Sequence, residues 1–153
     1  SALMLLIAPA AAWACSPPPV EFFEARSDDN ASYPVPTTAP VARVASISRG
    51  HRARGGESTC SELASITIAV RDDSPGVPFV FSFRQMSGTA PDAIFFSGLH
   101  VGGSNGNGEL LFSFYWPGLT DKPLPIDIQV EVTPHSRAGA AGPSTTLAIR
   151  DGV

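Results

Sequence analysis

Beyond Pro40 the chain alternates hydrophobic and polar positions with a period of two. Successive side chains of a strand point to opposite faces, so this rhythm predicts strands covered on one side. It is cleanest in "PIDIQVEVT", residues 125–133, where Ile126, Ile128, Val130 and Val132 face one way and Asp127, Gln129, Glu131 and Thr133 the other. Ile66, Ile68 and Val70 repeat it in "ITIAVR", and Phe79, Phe81 and Phe83 in "FVFSFR". Leu110, Phe112, Phe114 and Trp116 do so in "LLFSFYW", and Leu147 and Ile149 in "TTLAIRD". With "VARVASIS" at 41–48 and a short strand over "AIFFSGL" at 93–99, about seven strands are expected, separated by Pro, Gly, Asp and Asn turns.

No long stretch keeps a helical period, which excludes βαβ units and leaves an antiparallel arrangement. So many short strands cannot bury their apolar faces in one open sheet. The expected fold is all-β, an antiparallel two-sheet sandwich.

Residues 2–14, "ALMLLIAPAAAWA", break the alternation with an uncharged apolar run. It is too short for a membrane-spanning helix, which needs roughly 20 residues, and matches the apolar core of a secretory signal. We read residues 1–14 as a signal peptide truncated at its start, 15–40 as a Pro/Ser-rich extended segment and 41–153 as the sandwich domain. Within 15–40, only "VEFFEAR" at 20–26 is locally apolar, and it is expected to lie along the domain as an extended edge segment.

Cys15 follows the apolar run and has three competing readings. Ala12-Trp13-Ala14 before it partly resembles a bacterial lipobox, in which Cys15 would carry a lipid and tether the protein to a membrane. Trp13 fits ordinary signal peptidase better. An oxidising compartment would then favour a disulfide between Cys15 and Cys60, the only two cysteines. Such a bridge, with about 44 residues between its ends, would stabilise by about 3–4 kcal/mol in the chain-entropy model. An idle thiol is the third reading, and the disulfide is favoured.

Composition narrows the picture further. With 153 residues and 43% hydrophobic content, one core and one domain are expected. A net charge of −4 argues against nucleic-acid binding, which needs a basic surface. The one basic cluster, Arg49, Arg52 and Arg54, is expected to be a solvated loop. Nine of the ten basic residues are arginine, a bias suggesting a high-GC bacterial genome.

Two stretches carry a resemblance. "PIDIQVEVTPHSRAGAAGPSTTLAIRDG", residues 125–152, resembles the last hairpin of a fibronectin type III or bacterial Ig-like domain. "YPVPTTAPVARVAS", residues 33–46, is similar to the opening strand of bacterial Ig-like domains. The tyrosine common near the start of the penultimate strand has no counterpart here, since Ile126 and Ile128 occupy that region. The resemblance implies a non-catalytic module with a structural or protein-binding role in the bacterial envelope: periplasmic, on the cell surface or secreted.

Candidate chemistry is sparse. His51, His100 and His135 stand far apart, none with a second His or Cys at metal-ligand spacing. No G-x-S-x-G elbow is present, and Ser97 near His100 implies no triad. Asp72 and Asp73 read as turn residues. No cofactor, structural metal or catalytic residue is expected. In "GGSNGNGE", Asn105, Asn107 and Glu109 place oxygens at alternate positions as calcium loops can, but a glycine-rich hairpin explains the stretch better. Tyr115, facing away from Phe114 and Trp116, is the candidate for stacking on a sugar. These four residues define the alternative, a carbohydrate-binding or calcium-dependent module whose partner would be an envelope polysaccharide. A small envelope enzyme ranks third.

Overall fold

Six long strands carry the alternation into three dimensions. The structure, a computed structural model, describes residues 22–25, 33–50, 62–71, 79–90, 94–95, 97–118 and 124–152. The long strands are β2 (Val41–Ser48), β3 (Leu63–Arg71), β4 (Val80–Thr89), β7 (Leu110–Pro117), β8 (Ile126–His135) and β9 (Thr145–Asp151). Three two-residue strands join them: β1 (Phe22–Phe23), β5 (Leu99–His100) and β6 (Gly103–Ser104). All pair antiparallel, in one sheet of order β1-β5-β4-β8-β9 and a second of order β2-β3-β7-β6. The fold is the expected all-β, two-sheet antiparallel sandwich.

The period-two positions fill the space between the sheets. Ile66, Ile68 and Val70 of β3, Phe112 and Phe114 of β7, and Ile126, Ile128, Val130 and Val132 of β8 are all buried, while the residues between them face outward. Phe81 and Phe83 from one sheet meet Phe112 and Phe114 from the other. Phe81–Phe112 is edge-on at 5.4 Å between centroids, and Phe83 lies 4.9 Å from both Phe112 and Phe114. Edge-to-face contacts of this kind add to the area buried and fix the spacing of the layers.

The strand expected over 93–99 is not seen in that stretch's described residues, of which Leu99 alone enters a ladder, as part of β5. Ile94 instead drops into the core fully buried, and Phe95 stacks near-parallel on Phe83 at 6.5 Å and edge-on to Phe114 at 4.8 Å. A run of apolar residues with no polar ones between them marks no solvent face, and here Ile94 and Phe95 pack as a loop against the sandwich core. β1 pairs with β5 at the edge of its sheet, Phe22 opposite His100, which places part of "VEFFEAR" where an edge segment was expected.

The basic cluster also departs from expectation. Arg49 is no solvated loop residue: its side chain is 20% exposed and ion-paired with Asp151 at the end of β9. Its Nη2 donates to the Asp151 carbonyl at 3.0 Å and its Nη1 to the Leu124 carbonyl at 2.7 Å. A guanidinium can satisfy three acceptors at once, which is why an arginine suits the point where three chain segments converge. Arg52 and Arg54 lie outside the described residues.

Candidate functional site

The loop carrying Asn105, Asn107 and Glu109 joins β6 to β7 as a hairpin, closed by the Asn105 N–H donating to the Glu109 carbonyl at 3.1 Å. Asn105 Oδ1 accepts from the backbone N–H groups of Asn107 at 2.8 Å and Glu109 at 3.3 Å, an Asx turn. Gly106 and Gly108 both hold φ +78°, a region open to glycine and costly for other residues.

The Glu109 carboxylate is already engaged. Arg43 of β2 donates to it in fork geometry, Nε to Oε1 at 2.9 Å and Nη2 to Oε2 at 2.7 Å, and Asn105 Nδ2 reaches Oε2 at 3.0 Å. Because β3 lies between β2 and β7, Arg43 has to cross it. It does so where Arg43, Ala69 and Leu111 share a row of the sheet and Ala69 offers only a methyl group. The hydrogen bond from Arg43 is the largest influence holding the Glu109 carboxyl below the usual carboxylate range. Partial burial opposes it, and the Asn105 amide and the charges of Arg43 and Arg71 reinforce it. A calcium ion would have to displace an arginine and an amide from the loop's one carboxylate, and the Asx oxygen from two N–H groups.

Tyr115 does lie on the outer face of β7, half-buried and opposite Ser65 of β3. It stands six residues along the chain from Glu109, roughly 20 Å along an extended strand, so the structure does not bring the four candidates into one site. Cys15, Cys60, His51, Asp72 and Asp73 lie outside the described residues. Ser97 is exposed, whereas His100 is 3% exposed, edge-on to Phe83 at 5.8 Å and Phe114 at 5.5 Å. The two therefore occupy different environments.

Two arrangements arise from pairing register that local sequence does not display. On the outer face of the larger sheet, Ser82 Oγ and His135 Nε2 are 2.9 Å apart, and His135 Nδ1 is 3.3 Å from the Gly139 carbonyl. A nucleophilic serine needs a base whose imidazolium is stabilised, usually by a carboxylate. Here a peptide carbonyl takes that place, and the pair serves to tie β4 to β8 and to the loop after it. Among the described residues no three His, Cys, Asp or Glu side chains converge on a point that could hold a metal ion.

The second arrangement is an open cleft of about 450 Å³ beside β4, walled on its other side by Ile94, Phe95, Ser97 and Gly98. Phe83, Ile94 and Phe95 give it an apolar floor, and Ser82, Arg84 and Glu131 a polar wall. Arg84 is held against Glu131 by Nε at 3.2 Å and Nη2 at 2.8 Å. A cleft of this size and mixed lining suits part of a polymer or a small ligand. No family model, curated protein or solved structure matches the chain.

Proposed function

We propose that the chain is a non-catalytic Ig-like or fibronectin type III-like module, exported into or beyond a bacterial envelope, with a structural or protein-binding role. The observation that carries this reading is the strand order. Leaving out the two-residue β1 and β5, β2-β3-β7-β6 facing β4-β8-β9 follows the A-B-E-D and C-F-G order of a seven-stranded Ig-type Greek key. In such modules function resides in surfaces and edges while the core holds shape, and the cleft described above lies at an edge.

The rival polysaccharide- or calcium-binding reading loses support from the engaged Glu109 and the distance between Tyr115 and the hairpin. A glycan array probed with the purified chain, with and without calcium, tests the choice: no saccharide retained above background is expected, and calcium-dependent retention would install the rival.

Export rests on the apolar stretch at 2–14 and the cysteine that follows. Expression in an exporting bacterial host should give a soluble chain beginning at Cys15 and two hydrogens lighter than its reduced form, Cys15 joined to Cys60. A diacylglyceryl mass on the N-terminal peptide would replace the disulfide with a membrane anchor.

A further inference from the structure

Resting on the protein-binding reading proposed above, we infer that the free edge of β4 and the cleft beside it bind an extended peptide segment of a partner protein by strand addition. On one side β4 pairs with β8 from Val80 to Thr89, with Met86 left out where the register shifts. On the other its ladder with β5 holds a single pair, Phe81 opposite His100. From Ser82 to Thr89 that side of β4 has no strand partner among the described residues. Such an edge offers backbone N–H and C=O groups at the spacing of a strand, a pattern that another extended backbone satisfies better than a sugar or a lipid chain does.

The cleft supplies what a bare edge lacks. Ile94 and Phe95 pack beside Phe83 under the edge, so an added strand finds an apolar pocket for one inward side chain next to Phe83. On the outer face its neighbouring residue stands beside Arg84, whose side chain is 67% exposed even while bound to Glu131. An acidic residue there would be favoured, since opposite charges on adjacent strands attract. The expected occupant is a short extended segment alternating an apolar side chain with a carboxylate. The ladder shift between Gln85 and Ser87 and the run of exposed residues from Arg84 to Thr89 limit the usable edge to its first half, Ser82 to Gln85.

The test pans short linear peptides displayed on phage against the immobilised full chain and maps each hit by amide hydrogen exchange. The expected hits slow exchange across Ser82–Gln85, lose binding when alternate peptide nitrogens are methylated, and weaken several-fold in Arg84→Glu while keeping their affinity in Arg43→Glu. Ser97→Trp, which fills the cleft from its exposed rim, should also block them. Hits that protect other amides, or that tolerate nitrogen methylation, overturn the β4 site and leave the protein-binding reading standing. A library that returns no hit overturns both.

Discussion

Along the side where β2 and β9 lie next to each other, the two sheets are tied: Arg49 at the end of β2 bonds the side chain and carbonyl of Asp151 and the carbonyl of Leu124. Along the side where β4 looks away from β8, no such tie is made among the described residues. There a loop puts Ile94 into the core and Phe95 against it, and most of the edge of the strand beside it has no strand partner among the described residues. One side is closed by polar bonds between backbones and a guanidinium, the other, among the described residues, chiefly by apolar packing of Ile94 and Phe95 beside the single Phe81–His100 pair. Apolar packing excludes water without supplying a strand ladder, and that separates an edge that seals a fold from one that can accept a partner.

The largest expected effect tests whether the open side is held by its aromatics. Phe83 is buried and touches Phe95, His100, Phe112 and Phe114. Phe83→Ala should cost about 3–5 kcal/mol in denaturant unfolding, the usual range for emptying such a site. Half-buried Phe95→Ala should cost about 1–2 kcal/mol, in proportion to the smaller area it removes from water. If Phe95→Ala cost as much as Phe83→Ala, the loop would be an integral wall of the core and the cleft would have no room to open.

The next effect tests the closed side. Arg49→Ala removes three hydrogen bonds to charged or carbonyl acceptors at a mostly buried point and should cost about 1–3 kcal/mol. A double-mutant cycle with Asp151→Ala isolates the pair, and coupling indistinguishable from zero would make the tie incidental. Gly118→Ala attacks the same corner by sterics: an added Cβ would lie 2.5 Å from the Arg49 carbonyl. That substitution should destabilise by about 1–3 kcal/mol through overpacking, with no charge involved.

What could be read along the chain follows from the range of each interaction. β2 and β9 coincide with the stretches 41–48 and 145–151 picked out by alternation, because the two-residue repeat is a local signal with one covered face behind it. The 93–99 stretch misled because Ile94-Phe95-Phe96 is apolar without alternating, and an apolar run does not say whether it pairs or plugs. Arg49 looked like a solvated residue since its partner is 102 positions away, and Ser82 meets His135 across 53. The open edge of β4 was equally hidden: it depends on where β5, a strand some twenty residues away, stops pairing with it.

The smallest effect concerns Arg43 and Glu109, an ion pair on the outer face of the smaller sheet that closes no edge. Its fork geometry is good, yet Arg43 is 56% exposed on its side chain, and exposed pairs add little to stability. It should instead be visible in titration. The Arg43 hydrogen bond lowers the Glu109 pKa, so the carboxylate contributes its stability above the ordinary carboxyl range and loses it as pH falls through the lowered value. A carbon-detected NMR titration should therefore find the Glu109 midpoint below that of an unperturbed glutamate. In Arg43→Ala it should move up towards the usual range, held partly down by Asn105 and Arg71, while thermal stability at neutral pH changes far less than in Arg49→Ala. Ala69→Leu should raise the midpoint too, by placing a bulky side chain in the row that Arg43 has to cross. If calcium at millimolar concentration shifted the Glu109 resonance as strongly as acid does, the hairpin would be a cation site after all, and the arginine only its occupant in the absence of the metal.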